Sequence, residues 1–340
     1  MPDIDSRLAL LGWDSHYEEK FKQVAGPGDA PARVIADFGA EYLLHDGVAT
    51  SRATARRVDP AVGDWVAFEG GAINHIVERR TAFTRRAAGV ETLEQVLAAN
   101  VDFAFVVAAA SDVNPRRIER YLTIAWQSGA VPVVVLTKAD IAPTPDAMRV
   151  ELESAAGGTT VIVTSSVSGE GIDEVTRLLQ PASTGVLLGP SGTGKSTLIN
   201  AILGAAVMRT RETHRSGEGR HMTSHRQLVQ LPAGGMIIDT PGLREAQLWE
   251  GADALANIFE DIEELALQCR FRDCAHETEP GCAIKSALAD GSLDAGRFKS
   301  YRKLRRELRA VAAKTDARIR IEDRKKWKQI TIAARTRTRP

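Results

Sequence analysis

The stretch Gly189-Pro190-Ser191-Gly192-Thr193-Gly194-Lys195-Ser196-Thr197 carries residue types suited to holding phosphate. It follows the apolar run Val186-Leu187-Leu188 and precedes a helical pattern from Thr197 to Leu203, the strand-to-helix context that such a loop needs. Glycines let successive backbone N–H groups turn toward phosphate oxygens, and the helix N-terminus adds a favourable dipole. Lys195 is expected to bridge the β- and γ-phosphates, and the Ser196 hydroxyl to ligate Mg²⁺. A second apolar run, Met236-Ile237-Ile238, ends in Asp239-Thr240-Pro241-Gly242. There Asp239 suits the Mg²⁺ shell and the Gly242 N–H the γ-phosphate. Between the two lies Gly217-Glu218-Gly219-Arg220-His221-Met222-Thr223-Ser224, polar and glycine-containing like a mobile switch. Thr223 is the expected second hydroxyl ligand of Mg²⁺, with Ser224 as substitute, and His221 is a candidate to orient attacking water.

A base-reading motif, Thr137-Lys138-Ala139-Asp140, follows the apolar Val133 to Leu136. The Asp140 carboxylate can accept from N1 and N2 of guanine, which adenine does not offer. A site built this way rejects the wrong base by roughly 10⁴-fold, because the carboxylate is left unpaired. Lys138 is expected to lie along the base plane and brace the phosphate loop. Val163-Thr164-Ser165-Ser166 ends the next strand and sets the Ser166 N–H toward guanine O6. The base-reading motif precedes the phosphate loop, whereas in a Ras-like GTPase it comes near the end. That order reads as a circularly permuted GTPase with GTP and GDP as ligands.

All three cysteines fall in one stretch, Cys269, Cys274 and Cys282, with His276 among them. Three thiolates and an imidazole make a closed tetrahedral set for one structural Zn²⁺, with no position left for water. A disulfide is the weaker reading for a chain whose whole cysteine content surrounds one histidine.

These parts need scaffolds. Residues 1–30 end in Ala25-Gly26-Pro27-Gly28-Asp29-Ala30-Pro31, a linker by composition, and read as an N-terminal extension. Short alternating stretches over residues 31–88 predict a small antiparallel barrel; an OB-like barrel fits, and other small barrels fit almost as well. From residue 92 to 250, buried-strand runs alternate with helical segments such as Ile118 to Trp126 and Ile172 to Leu179. That predicts an α/β P-loop domain with a mostly parallel sheet and ligands at the strands' carboxyl ends. Residues 251–340 read as a mainly helical zinc-binding domain, with helices over Asp253 to Leu267, Arg297 to Ala313 and Asp316 to Ile330.

The chain has 340 residues, 44% hydrophobic and 26% charged, with zero formal net charge. That composition suits a soluble multidomain protein. The longest apolar run, Phe103 to Ala110, is too short to span a bilayer, and Asp3 and Asp5 open a terminus unlike a signal segment. A cytoplasmic monomer with no membrane partner is the expectation. The last residues carry Arg324, Lys325, Lys326, Lys328, Arg335, Arg337 and Arg339 against Glu322 and Asp323. Such a tail either attracts polyanions such as RNA or is simply solvated.

Taken together, the motifs, their permuted order and the Cys269/Cys274/His276/Cys282 spacing resemble the RsgA (YjeQ) family of circularly permuted GTPases. Gln95-Val96-Leu97-Ala98-Ala99-Asn100-Val101-Asp102 also looks like that family's entry to its G domain. The resemblance implies a GTP hydrolase stimulated by the small ribosomal subunit, acting in its late maturation, with barrel and zinc domain both on ribosomal RNA. The alternative is a GTP-gated RNA-binding switch whose hydrolysis is incidental. Two positions depart from the family pattern. Thr137 stands where Asn is usual, losing an amide that contacts guanine N7 and braces the loop; Met222 stands within a run usually rich in Thr. Leu243 replaces the catalytic glutamine of Ras-like proteins, so slow intrinsic hydrolysis is expected.

Overall fold

The computed structural model describes residues 4–86, 94–156, 158–180, 182–204, 226–239, 255–256 and 258–315. They belong to two compact units, one from residues 1–86 and 94–247, the other from 87–93 and 248–340.

The first unit has helices ahead of the Ala25–Pro31 stretch. Helix α1 (Ile4–Leu8) and a 3₁₀ turn (Ala9–Leu11) lead to α2 (Ser15–Val24). Asp14 caps α2 by accepting from the His16 and Tyr17 amides at 3.0 and 3.3 Å. Trp13 packs edge-on against Trp65 of the barrel, ring centroids 4.7 Å apart. This buried aromatic contact is tertiary, so composition alone pointed only to the coil at residues 25–29.

The barrel consists of β1 (Ala30–Asp37), β2 (Tyr42–His45), β3 (Thr50–Ala55), β4 (Trp65–Glu69) and β5 (Ala72–Ile76). Pairing runs β1-β2-β3-β5-β4 and closes from β4 back to β1, with only β3 and β5 parallel. This five-stranded closure is the OB arrangement. Alternating residues Val34, Leu44, Val66 and Ile73 fill the interior. Strand β3 has a weak apolar pattern, with Ala53 buried and Ala55 partly buried against the barrel core and exposed polar residues elsewhere, so residue pattern does not mark it. Next, β6 (Ala82–Arg86) and β7 (Glu94–Ala99) form an antiparallel ribbon.

The α/β portion has β8 (Phe103–Ala109), β9 (Val131–Thr137), β10 (Val161–Val163), β11 (Thr184–Leu188), β12 (Arg226–Gln230) and β13 (Met236–Asp239). Helices α3 (Pro115–Ser128), α4 (Pro145–Ala155), α5 (Ile172–Leu178) and α6 (Lys195–Leu203) connect them. The order β10-β9-β8-β11-β13 is parallel throughout, and β12 joins antiparallel to β13. Phe105, Val107, Val133, Val135, Leu198 and Ile237 anchor its core. Barrel and α/β sheet are continuous: β1 pairs with β12 through Ala36↔Gln227 and Asp37↔Arg226.

Arg33 of β1 is 2% exposed where these parts meet. Its guanidinium donates to the carbonyls of Leu11, Gly63 and Asn100 and to Thr184 Oγ1 of β11. It also lies over the Trp65 ring. Burial pulls its pKa down to about 10, which leaves it protonated at neutral pH.

In the second unit, α7 (Glu260–Leu267), α8 (Ala283–Asp290) and α9 (Ala295–Thr315) pack around Phe259, Ile262, Ile284 and Tyr301. Arg297 holds both carboxylate oxygens of Asp261, and the Tyr301 hydroxyl donates to Glu263 at 2.8 Å. Of the helix expected over Asp253 to Leu267, Leu255, Ala256 and Ile258 are helical, Phe259 departs from helical geometry, and α7 follows from Glu260. Helix α8 was not expected; it lies directly after Cys282. The helix expected over Asp316 to Ile330 and the basic tail lie outside the described residues.

Candidate functional site

The five parallel strands all point the same way, and every nucleotide motif within the described residues sits at or just after a carboxyl end. Strand β11 leads into the phosphate loop and α6, which begins at Lys195 with Ser196 as its second residue. Strand β13, adjacent and parallel to β11, ends at Asp239 one residue beyond the Val186↔Ile238 pair. Ser196 and Asp239 therefore flank one inter-strand gap with two hard oxygen donors, the ligand type that Mg²⁺ prefers.

Close approach explains two of the loop's glycines. Gly189 has φ +142°, and a Cβ there would sit 2.4 Å from the Val107 carbonyl. Gly194 has φ +90°, and its Cβ would meet Thr137 Oγ1 at 3.2 Å. The Lys195 ammonium donates to the carbonyls of Gly189 (2.8 Å) and Pro190, and Thr193 Oγ1 donates to Pro190 at 3.0 Å. The loop is thus held curved by its own side chains.

The base-reading strand end is tied to that loop. Lys138 Nζ donates to the Gly192 carbonyl at 3.0 Å, the brace expected of it. Thr137, 2% exposed, donates its hydroxyl to the Thr193 carbonyl at 2.5 Å, with Ala108 O at 3.3 Å. The loss of loop bracing expected from Thr at this position is therefore corrected: the hydroxyl supplies that brace. Lys138 takes the left-handed conformation (φ 60°), and Ala139 donates to the Thr164 carbonyl of the neighbouring loop. Asp140 is exposed, and its Oδ1 accepts from Ser165 Oγ at 2.7 Å. Ser165 Oγ also accepts from the amides of Val167 and Ser168, both at 3.2 Å. This relay orients the carboxylate, a role that residue spacing did not signal. Ser166 is half-buried beside it.

Thus Thr137, Lys138, Asp140, Ser165, the phosphate loop from Gly189 to Thr197, and Asp239 gather at one end of one sheet. His221, Thr223 and Gly242, with Met222, Ser224 and Leu243, lie outside the described residues.

In the second unit, Cys269, Cys274, His276 and Cys282 bring one ligand atom each to within 4.8 Å of one another. Cys269 Sγ lies 3.9 Å from Cys282 Sγ, and His276 Nδ1 lies 3.6 and 3.5 Å from the two sulfurs. A tetrahedron with Zn–S of about 2.3 Å and Zn–N of about 2.0 Å has edges of about 3.8 Å between sulfurs and about 3.5 Å from sulfur to nitrogen. The donor set and its spacing fit zinc, and all three thiols are free. Burial raises the Cys269 thiol, but the backbone N–H groups of Ala283 and Ile284 at the start of α8, together with the Cys282 and Cys274 thiols, outweigh it, and its pKa is lowered. Burial pushes Cys274 up to about 11. Desolvation lowers His276, favouring the neutral imidazole that a metal needs. Glu279 was not anticipated. Its carboxylate accepts from the amides of Ala275, Glu277 and Thr278, tying down the loop around His276.

A phosphate loop on a parallel sheet, preceded by its base-reading strand, defines a circularly permuted P-loop GTPase. A sequence profile for the RsgA GTPase matches residues 76–249. A small ribosomal subunit biogenesis GTPase RsgA from Syntrophotalea carbinolica is 44% identical, with 95% of each chain covered. One from Opitutus terrae is 42% identical over 98% of each. Among solved structures, YjeQ from Thermotoga maritima aligns with TM-score 0.61 at 25% identity, covering 82% of this chain and 98% of that one. The circularly permuted GTPase YloQ aligns at 0.60 and 23%, covering 83% and 96%, which supports the fold. The chain belongs to the RsgA family of small ribosomal subunit biogenesis GTPases.

Proposed function

We propose that this GTPase turns over slowly alone and rapidly on the small ribosomal subunit, late in that subunit's maturation. The observation that carries the nucleotide reading is the cross-brace, in which Thr137 and Lys138 of the base loop hold the carbonyls of Thr193 and Gly192 in the phosphate loop. One rigid end then recognises both halves of GTP. In this reading Asp140 and Ser166 take the guanine edge, Lys195 and the loop amides take the phosphates, and Ser196, Thr223 and Asp239 serve Mg²⁺. His221 sets the water, because Leu243 has no group to do so. Cys269, Cys274, His276 and Cys282 hold one structural Zn²⁺.

The ribosomal partner is inferred from the relatives' names and from surfaces suited to RNA. On the barrel, exposed Phe38 lies beside Arg52, guanidinium to ring centroid 5.9 Å, an aromatic–cation platform of the kind bases stack on. On α9, Lys299, Lys303 and Arg306 are exposed at helical spacing i, i+4, i+7, a stripe that suits a phosphate backbone. The proposed boundaries are an N-terminal segment to residue 30, a barrel from 31 to 88, the GTPase from 92 to 250 and the zinc domain beyond, acting as a cytoplasmic monomer. Among the described residues no helix is long and apolar enough to cross a membrane.

The test is phosphate release from GTP and from ATP, with and without purified small subunits. GTP-specific acceleration by roughly 10³-fold or more, as partner-completed GTPases show, supports the proposal. Binding to subunits with unchanged turnover would instead establish a GTP-gated RNA-binding switch.

A further inference from the structure

Strand β12 stands between the barrel and the strand that ends at Asp239. Gln227 is paired across one edge with Ala36 of β1 and across the other with Asp239 of β13. At about 4.8 Å per strand, the barrel backbone passes within about 10 Å of the Asp239 backbone. The seam between β1 and β12 is short, with Ala36↔Gln227 and Asp37↔Arg226 as its two residue pairs. The Asp37 side chain reinforces it. Its Oδ2 accepts from Arg226 Nη1 at 3.4 Å, and the two side chains are 18% and 14% exposed. Its Oδ1 accepts from the Gly39 amide at 2.7 Å. One carboxylate thus grips both Arg226 and the turn that displays Phe38 beside Arg52. Thr223, the expected Mg²⁺ hydroxyl, stands three residues before Arg226 in the chain. Three residues reach at most about 11 Å, so the place where Arg226 enters the sheet limits where Thr223 can stand.

We infer that Asp37 is a positioning residue that couples the barrel's RNA platform to the Mg²⁺ side of the GTP site, so that a base stacked on Phe38 acts on hydrolysis through Arg226. This rests on the ribosomal reading above and on Phe38 and Arg52 as an RNA contact. RNA that fixes the turn fixes Asp37, and Asp37 fixes Arg226 at the start of β12. The coupling is separable from binding. Breaking the ion pair leaves Phe38 and Arg52 able to take RNA and the phosphate loop able to take nucleotide, but cuts the link between them.

The experiment measures phosphate release from GTP without small subunits and with saturating ones, together with subunit affinity, for the full-length protein and for Asp37→Asn. The amide keeps an acceptor for Gly39 and loses the charge that holds Arg226. The unstimulated rate and the subunit affinity are expected within a factor of two of wild type. The stimulation factor is expected to fall at least about fivefold, the lower end of the range that coupling between sites spans. Arg226→Gln breaks the same pair from the other strand and gives the same loss, so the inference stays open to refutation if Asp37→Asn does not fold. Arg226→Lys keeps the charge and retains most of the stimulation. Stimulation within twofold of wild type in Asp37→Asn or Arg226→Gln overturns the inference. So does a loss of stimulation matched by an equal loss of subunit affinity, which marks a purely structural pair. A wild type that subunits do not stimulate would sink the ribosomal reading itself, and the inference with it.

Discussion

Arg33→Met tests whether the buried guanidinium holds the first unit together. The substitution preserves bulk against Trp65 but removes donors from four oxygens. Two of these have other recourse: Gly63 O also accepts from Asn100 Nδ2 at 3.1 Å, and the Thr184 hydroxyl can rotate. The Leu11 and Asn100 carbonyls lose a charge-assisted donor in a buried setting. At about 1–3 kcal/mol for each buried group left unsatisfied, the loss is roughly 2–6 kcal/mol. Removing a desolvated cation with no direct carboxylate partner offsets part of this. A net destabilisation of about 3 kcal/mol is expected, which for a unit of this size lowers Tm by roughly 6–12 °C. Differential scanning calorimetry reads this directly, and near-UV circular dichroism reports the Trp13–Trp65 pair. Arg33→Lys should recover only part of the loss, since a single ammonium cannot reach acceptors on four segments. A Tm shift below 2 °C for Arg33→Met would refute the reasoning and show that cation burial cancels the hydrogen bonds.

Asp140→Asn exchanges an acceptor for a donor at the guanine edge; GTP affinity should fall by roughly 100-fold or more while xanthosine nucleotides gain, read by competition binding. Zinc removal with a strong chelator should abolish much of the helical signal of the second unit, since such sites supply on the order of 10 kcal/mol of folding energy. GDP binding by the first unit should persist, and retained ellipticity in the metal-free protein would contradict this. Glu279 is held from the ordinary 4.5 to about 2 by its own amide and those of Glu277 and Ala275. A depressed carboxylate stabilises the loop above its unfolded pKa and loses that contribution as pH falls toward 2. Glu279→Gln should therefore weaken zinc retention by about tenfold at neutral pH in chelator competition, and the deficit should shrink on acidification.

Much of this was legible in the sequence because its signals are local. Strands β8, β9, β11 and β13 are buried on both faces, so their apolar runs stand out. The phosphate loop and the Asp140 motif are contiguous, and the Cys/His ligands lie within fourteen residues of one another. What escaped depends on contacts between distant segments. Strand β3 is a polar barrel wall, β12 is short and half-exposed, and α8 is masked by the cysteine spacing before it. The Thr137 brace joins residues 56 apart, and its role follows from the approach of Gly194 rather than from residue type. The change of pattern near residue 92 marks a boundary between barrel and α/β domain but says nothing about which strand edges meet.

That meeting of edges has a practical meaning. Strand β12 would be the bare rim of an ordinary open sheet, with a row of unpaired backbone groups that invites association with other chains. Here β1 covers part of that rim, and the Arg226–Asp37 ion pair at 3.4 Å fastens the seam. The barrel therefore acts as a lid on a sticky edge. A fragment cut to begin at the GTPase portion would expose the rim and orphan the contacts that Arg33 makes with Asn100 and Thr184. Such a fragment should self-associate, and its poor behaviour would report lost edge protection and not a defect in nucleotide chemistry.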